Sequence, residues 1–196
     1  MAYFPMFIDL TGRPCLIVGG GTVAARKAEK LRPYAPDLRV VAPAFTAEFE
    51  GCTLLPRPYR PCDEDGMALV IAATDDPALN HAISRSCREK GIPVNVVDDK
   101  AHCSFLFPCL VQSGELSVGI STGGASPTAA VWLKNRISDL IPPNFDEILS
   151  FLEGIRPKIK AEIADEQARS AIFAALFSAC MEKGRPLREE EWEEFL

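Results

Sequence analysis

Short apolar runs alternate with helical patterns over the first half of the chain. Apolar runs begin at Cys15 and lie within 37–43, 68–74 and 92–99, while the segments after 21 and 76 carry the periodicity of helices. The run at 68–74 is unbroken, which is typical of a strand buried on both faces. A weaker strand candidate at 53–59 contains two prolines and suits a sheet edge. Strands that alternate with helices predict a parallel sheet with right-handed crossovers.

The pattern changes after Asp98. The segment "SFLFPCLVQSGELSVGIST" predicts an antiparallel hairpin around "QSGE", and a helix follows with Ser126 at its start. Pro142 and Pro143 mark a boundary, beyond which Asn144 is expected to cap the first of several helices. The stretch "ARSAIFAALFSACM" is apolar on more than one face, so it predicts burial between helices or between subunits.

Composition narrows the functional classes. The chain has 196 residues, of which 47% are hydrophobic, and its net charge of −6 argues against a nucleic-acid-coating protein. No stretch approaches a membrane span of about 20 apolar residues, and the N-terminus lacks a secretory signal, so we expect no membrane contact and a cytoplasmic location. The seven cysteines never form a C-x-x-C pair, which favours reduced thiols over a zinc site or a disulfide framework.

The stretch "CLIVGGGTVAARKAEKL", residues 15–31, contains a candidate phosphate loop. Gly19, Gly21 and Ala24 fit the G-x-G-x-x-A form of the dinucleotide fingerprint, and a strand precedes them while a helix follows. This context favours phosphate binding over a tight structural turn. The acidic residue that usually binds the adenosine ribose is missing, because Pro43 and Ala44 stand at the end of the second predicted strand. The choice between NAD and NADP therefore stays open from the residues alone.

Polar residues cluster where the fourth strong strand ends. They are Asn95, Asp98, Asp99, Lys100 and His102. Ligands bind at the carboxyl ends of strands in open α/β sheets, so these side chains are catalytic candidates, although on general grounds a turn or helix cap is the commoner explanation for Asp98 and Asp99. His102 beside Cys103 is more often incidental than metal-binding, and His81 falls in a surface-like helix. The sequence predicts no metal site.

A second glycine loop, "STGGASPTAAVW", joins a predicted strand to a helix. Its candidate anion-binding residues are Ser121, Thr122, Gly123, Gly124 and Ser126. Hydroxyl groups and backbone N–H groups at a helix N-terminus suit an anion such as a carboxylate. A plain helix cap by Ser126 is the alternative, and the two interpretations are compatible. Two such loops suggest two negatively charged ligands.

Five motifs occur in order: "CLIVGGGTVAARKA", "IAATDDPALN", "NVVDD", "SFLFP" and "ISTGGASPTAAVWLKNRI". With them the chain resembles the precorrin-2 dehydrogenase / sirohydrochlorin ferrochelatase family, in the stand-alone form of the N-terminal half of siroheme synthase. The resemblance extends from about Tyr3 to Pro143. It implies oxidation of precorrin-2 to sirohydrochlorin with NAD+, followed in some members by insertion of Fe2+, in a homodimer. The preceding methylation is expected to belong to another protein.

The resemblance also implies roles for individual residues. Asp98, the last residue of "NVVD", corresponds to the family's catalytic aspartate, and the family likewise lacks an acid after its second strand. The implied cofactor contacts are Gly19, Gly20, Gly21, Thr22, Val23, Pro43, Ala44 and Thr74. The implied substrate contacts are Asn95, Thr122, Gly123, Gly124 and Ser126. At Thr122 the family has a serine that is phosphorylated in some members; the threonine keeps the hydroxyl group, so the sequence leaves open whether Thr122 is modified.

The expected fold is an α/β, Rossmann-like parallel sheet, followed by a hairpin-containing dimerisation region and a small helical C-terminal domain. The corresponding boundaries are 1–112, 113–143 and 144–196. We expect cations to meet the substrate's carboxylates, the candidates being Arg57, Arg60, Lys100, Lys134 and Arg136. A non-catalytic nucleotide-sensing Rossmann domain is the alternative, but it leaves "NVVDD" and "STGGASP" unexplained. A short-chain dehydrogenase would need a Tyr-x-x-x-Lys pair, which the sequence lacks.

Overall fold

The computed structural model describes residues 3–196. The chain forms two compact units, which meet in sequence between Phe107 and Pro108. The first unit contains the parallel sheet, and the second contains the hairpin and the C-terminal helices. The domain boundaries expected at 112 and 143 stay predictions.

Within the described residues, the first unit is built on a sheet of five parallel strands in the order β3-β2-β1-β4-β5. The strands are β1 (Pro14–Val18), β2 (Asp37–Ala42), β3 (Thr53–Pro56), β4 (Leu69–Ala72) and β5 (Val94–Val96). This arrangement confirms the predicted α/β class and is the strand order of dinucleotide-binding folds. The proline-containing β3 lies at one edge, where the missing N–H of Pro56 breaks no internal ladder.

Helices cover both faces of this sheet. They are α1 (Thr22–Leu31) and α2 (Pro77–Glu89), with 3-10 turns at Arg32–Tyr34, Pro61–Glu64 and Lys100–His102. Alternate residues of β1 point to opposite faces, so that Ile17 packs in the core beneath α1 while Leu16 packs in the core beneath α2. Asp76 caps α2 by accepting hydrogen bonds from the N–H groups of Ala78 and Leu79, at 2.9 and 3.2 Å. The predicted start of this helix is confirmed.

The second unit begins with the predicted antiparallel hairpin and continues as helices. The elements are β6 (Cys109–Ser113), β7 (Leu116–Ile120), α3 (Pro127–Leu140), α4 (Phe145–Glu162), α5 (Glu166–Lys183) and α6 (Glu189–Glu193). Asn144 stands at the start of α4 as expected, but its side chain does not cap the helix. Its amide donates instead to the carbonyl of Gly184, at 2.9 Å, and so ties the start of α4 to the end of α5.

The terminal helices pack around a core of their own. Ile148, Ile159, Leu176 and Cys180 are fully buried there. Within one chain α5 is only partly buried, with Phe177 37% exposed, and burial of the rest of the helix between subunits stays a prediction. Further exposed apolar side chains lie on α3: Val131, Trp132, Leu133 and Leu140.

The cysteines agree with the expectation of reduced thiols. In the described part of the chain all seven are free, and four of them are buried. Burial raises the pKa of the Cys15 thiol to about 11, which keeps it protonated and unreactive at neutral pH. Among residues 3–196, no helix is long and apolar enough to cross a membrane.

Glu191 provides a pH-dependent contribution to stability in the second unit. Its carboxylate accepts hydrogen bonds from Arg185, Lys183 and the N–H of Arg188, and these lower its pKa from the usual 4.5. A lowered pKa stabilises the folded state above the unfolded-state pKa, and this contribution is lost as the pH falls. We expect Glu191→Gln to lower the melting temperature near neutral pH, with a difference from wild type that shrinks below about pH 4.5.

Thermal melts followed by circular dichroism at several pH values measure this difference. Glu190→Gln is the matched control, since Glu190 is an exposed neighbour on the same helix. A wild-type-to-variant difference that stays constant down to low pH would contradict the assignment.

Candidate nucleotide-binding cleft

A cleft of about 830 Å³ lies at the carboxyl ends of the parallel strands. It is lined by residues that follow β1, β2, β4 and β5, including Gly19, Ala44, Thr74 and Asp98. The strand order reverses between β1 and β4, and ligands of open α/β sheets bind where this reversal occurs. The volume is sufficient for a drug-sized or nucleotide ligand.

The three consecutive glycines have different surroundings. A Cβ atom on Gly19 would lie 2.2 Å from the carbonyl oxygen of Ala73, and one on Gly20 would lie 2.1 Å from that of Ala44. Gly19 also has a φ of +130°, which side-chain-bearing residues rarely adopt. A Cβ on Gly21 would meet nothing within 4 Å. The first two glycines therefore permit close backbone packing, and the third leaves open space for a ligand.

Helix α1 begins directly at this open space. No side chain caps its N-terminus at Gly21, within the described chain, and Thr22 and Val23 line the cleft beside it. The N–H groups and the positive dipole end at a helix N-terminus bind phosphate well. The loop itself is held in place by hydrogen bonds from Gly19 N to Val41 O, 3.0 Å, and from Thr46 N to Gly20 O, 2.9 Å. This arrangement fits the pyrophosphate of a dinucleotide.

The remaining predicted cofactor residues lie around the same cleft. Pro43, Ala44 and Thr74 all line it, together with the loop residues. Two acidic residues follow β2, but Glu50 forms a surface ion pair with Arg32, and neither Glu48 nor Glu50 is among the described residues that line the cleft. Their roles in binding stay predictions, but the structure brings all eight residues to the lining of one cleft.

Asn80 is a site residue that the sequence reasoning missed. It is 7% exposed, and its side chain accepts from the N–H and the hydroxyl of Thr74 at 3.2 and 2.7 Å and donates to the carbonyl of Thr74 at 2.9 Å. These three hydrogen bonds hold the loop between β4 and α2, whose residues line the cleft. The signal was present in "TDDPALN", where an asparagine in the first turns of a helix follows a capped loop.

Asp98 occupies the rim of the cleft after β5. It is exposed and adopts a left-handed backbone conformation with φ of +58°. Asp and Asn tolerate this region better than other non-glycine residues, and such outliers concentrate at functional sites. Val97 N donates to Ala72 O, 3.0 Å, which holds the approach to the turn against β4. The turn interpretation is thus right for the backbone of Asp98, while its side chain remains available at the cleft.

The neighbouring Asp99 has different partners. One of its oxygens, Oδ2, lies 2.7 Å from Nε2 of His81 and 2.8 Å from Nδ1 of His102. These hydrogen bonds, that of His102 first, lower the pKa of Asp99 to about 2. Although Asp99 stands at the start of a 3-10 turn, its side chain does not cap it. The adjacent carboxylates of Asp98 and Asp99 therefore have different surroundings: Asp98 is exposed at the cleft, whereas Asp99 is hydrogen-bonded to two histidines.

The predicted substrate residues lie in two different environments. Asn95 is 5% exposed, and its side-chain amide donates a hydrogen bond to Phe105 O, at 3.0 Å, inside the first unit. In the second unit, the side chain of Ser126 caps α3 by accepting from Ala129 N, 3.1 Å, as the alternative interpretation held. Thr122 Oγ1 donates to Ser126 O and accepts from Ser126 N, both at 3.1 Å.

This internal bonding limits the second loop as an anion site. Its N–H groups at Gly123, Ala125 and Ser126 already donate to Ser121 Oγ, Thr122 O and Thr122 Oγ1. The glycine loop of the first unit differs, since no side chain caps its helix.

Tyr59, which lines the cleft, is hydrogen-bonded to a buried polar network. Glu64 is fully buried and accepts hydrogen bonds from Tyr59 Oη and from Ser86 Oγ, with Lys90 Nζ at 3.3 Å. Burial and the contact with Glu64 raise the pKa of Tyr59.

Arg57, one of the cations expected to bind the substrate's carboxylates, is already paired within the chain. Asp63 accepts two hydrogen bonds from its guanidinium group, at 2.6 and 2.8 Å.

The chain is similar to known proteins over nearly all of its length. Residues 6–109 match a family described as putative NAD(P)-binding, and residues 113–140 match one described as sirohaem biosynthesis protein central. The siroheme synthase of Thioalkalivibrio sulfidiphilus is 41% identical over 90% of this chain and 37% of its own length. That of Azotobacter vinelandii is 40% identical over 90% of this chain and 39% of its own length. The chain thus spans about two fifths of the length of these curated relatives.

A solved structure shares the fold. The precorrin-2 dehydrogenase SirC superposes with a TM-score of 0.72 at 23% identity, covering 98% of this chain and 96% of its own. The similarity includes the parallel sheet, the hairpin and the terminal helices.

The contrast between neighbouring glycines gives a prediction about stability. We expect Gly19→Ala to destabilise the protein by more than about 1 kcal/mol, because its Cβ would clash with Ala73 O and strain a positive φ. Gly21→Ala is the matched control and should leave the unfolding midpoint in urea unchanged, since its Cβ meets open space. Equal midpoints for the two variants would mean that the loop does not pack as described.

Proposed function

The chain belongs to the precorrin-2 dehydrogenase and siroheme synthase family, and from this premise we propose that it oxidises precorrin-2 to sirohydrochlorin with NAD+. The observation that carries the proposal is the composition of one cleft. An uncapped helix N-terminus behind a glycine loop forms one wall, and the carboxylate of Asp98 stands at the rim. A dehydrogenase needs both a dinucleotide site and a proton acceptor within reach of one substrate.

The chain's own residues would bind and orient the cofactor. The N–H groups at the start of α1 would hold the pyrophosphate over Gly21, while Pro43 and Ala44 would contact the adenosine through the backbone. Bound NAD+ supplies a hydride acceptor. Thr74, held by Asn80, forms the cleft floor and would fix how deeply the dinucleotide enters.

Asp98 would act as the general base. Dehydrogenation removes two hydrogens from the macrocycle, one as a hydride and one as a proton, and a carboxylate at the rim can accept the proton. Asp99 is less suited to this role, because its Oδ2 is hydrogen-bonded to both His81 and His102 and it is not among the described residues that line this cleft. The left-handed turn would keep Asp98 facing the cleft while its neighbour faces the histidines.

The chemistry of the cleft favours NAD+ over NADP+. Recognition of a 2′-phosphate ordinarily uses an arginine near the end of the second strand. The described residues that line the cleft include neither lysine nor arginine, and Pro43 and Ala44 occupy the position in question. A ribose hydroxyl would fit there better than an additional phosphate.

The proposal has four further parts: a second substrate, an oligomeric state, substrate-binding segments and a location. Fe2+ would be a second substrate: its insertion into sirohydrochlorin displaces two pyrrole protons, which Asp98 would accept one at a time and pass on to water. The protein would form a homodimer, supported by the exposed apolar residues on α3, among them Trp132 at 58% exposure. Asn95 and the 121–126 loop would act in substrate binding through the backbone and the shape of their segments, given their internal hydrogen bonds. A cytoplasmic location belongs to the same proposal.

The activity test uses Asp98 variants. Purified protein with anaerobically prepared precorrin-2 and NAD+ should form one NADH per substrate, measured by absorbance. Asp98→Asn keeps the size and the tolerance of positive φ but cannot accept a proton, so we expect kcat to fall by about 100-fold or more with unchanged NAD+ affinity.

Asp98→Glu is the matched control, because it restores a carboxylate in a shifted position and should recover part of the activity. NAD+ binding without NADH formation by the wild type would favour the nucleotide-sensing alternative. Full activity in Asp98→Asn would remove Asp98 from catalysis.

The cofactor site is tested independently of the substrate. Gly21→Asp would put a negative charge into the space proposed for the pyrophosphate, so we expect the Kd for NAD+ to rise by about 10-fold or more. Isothermal titration calorimetry measures the change, and Gly21→Ala separates the effect of bulk from that of charge. An unchanged Kd in both variants would place the dinucleotide elsewhere.

A further inference from the structure

Three side chains outside the proposed dehydrogenation chemistry converge on one point. They are His81 on α2, Asp99 in the turn after β5, and His102 at the end of the following 3-10 turn. Their ligand atoms all lie within 4.8 Å of one another. The two imidazole rings stack with centroids 3.8 Å apart and an interplanar angle of 14°. Each nitrogen that faces the carboxylate belongs to a different element, so the cluster exists only in the folded chain.

The backbone around this cluster is firmly held. Ser84 Oγ on α2 donates to the carbonyl of His102 at 2.6 Å. Arg88, one turn further along α2, donates to Ala101 O at 3.1 Å and to Cys103 O at 3.2 Å. The 3-10 turn is therefore fastened to the helix that carries His81. This organisation lowers the cost of bringing the three side chains together around a ligand.

The donor set is that of a transition-metal site. Two imidazole nitrogens and one carboxylate oxygen bind zinc in catalytic sites and Fe(II) in facial triads, where the remaining positions stay open. An aspartate carboxylate is ordinarily ionised at neutral pH, so Asp99 supplies an anionic ligand. Each histidine needs only to present its lone pair instead of a proton at the nitrogen that faces Asp99.

The distances are close to those of ligands around one ion. Adjacent ligands of an octahedral ion with bonds of about 2.1 Å are about 3 Å apart. The two observed N···O distances are 2.7 and 2.8 Å. The two N···O distances would lengthen by about 0.2 to 0.3 Å to match this spacing. The side chains are 30 to 40% exposed, which leaves a path for entry and room for water ligands.

The cluster also adjoins the proposed active site. His81 and Asp99 line a recess of about 320 Å³ together with Asp98 and Thr74, and the last two also line the larger cleft. We propose that His81, Asp99 and His102 form a binding site for a divalent transition-metal ion, such as Co2+, Zn2+ or Fe2+, at the edge of this cleft. The proposal does not depend on the dehydrogenase function, because the ion binds through the chain's own side chains without substrate or cofactor.

Co2+ is the probe for this site. Anaerobic titration of the purified full-length chain should give one equivalent of bound Co2+, detected by its visible d–d absorption and by a rise in melting temperature. We expect His81→Gln, His102→Gln and Asp99→Asn each to weaken Co2+ binding by about 10-fold or more. Circular dichroism and a melt without metal show that each variant is folded.

The cysteines provide the matched control. Cys62 is exposed and free, and a thiolate ligand would add an intense charge-transfer band to the Co2+ spectrum. Cys62→Ser should therefore bind Co2+ as the wild type does, with no thiolate band in either protein. If Co2+ binds to the histidine variants as tightly as to wild type, or if wild type shows no stoichiometric binding, the cluster is only a hydrogen-bonded fastening between α2 and the turn.

Discussion

The loop after β1 passes so close to the neighbouring strand ends that two of its residues have no room for a side chain. The hypothetical Cβ atoms of Gly19 and Gly20 would fall on the carbonyl oxygens of Ala73 and Ala44, which belong to the segments after β4 and β2. This close approach seats the loop in the notch between adjacent strands. It allows α1 to start at the carboxyl ends of the strands, with its uncapped N-terminus facing the cleft. The geometry of the cleft follows from this one steric constraint.

The opposite side of the cleft depends on a single tight turn. Asp98 takes a left-handed conformation, so consecutive carboxylates diverge: Asp98 is open at the rim, while Asp99 is shared by His81 and His102. Hydrogen bonds from Ser84 and Arg88 fasten the continuation of the turn to α2. The proposed general base and the proposed metal-binding cluster can therefore lie side by side without competing for the same carboxylate.

The two glycine loops show how similar sequences acquire different properties. Both join a strand to a helix, but the first has no capping side chain, whereas the second is closed by Thr122 and Ser126. Hydroxyl groups near a helix start compete with external ligands for the same N–H groups. The first loop is thus prepared for an anion, while the second is largely satisfied by its own chain.

The sequence by itself determined the order in which strands and helices follow one another along the chain and the parallel class of the sheet. It also identified the glycine loop and Asp98 as candidate site residues. Those features follow from local periodicity, from caps such as Asp76 and from motif spacing, all of which short segments carry. Only the tertiary structure decided that Asn95 turns inward, that Arg57 is engaged by Asp63, and that His81 meets Asp99 and His102. Contacts of this kind join residues that are up to 18 positions apart in these cases, across separate strands and helices. Their distances are set by how the helices pack on the sheet, which no local pattern encodes.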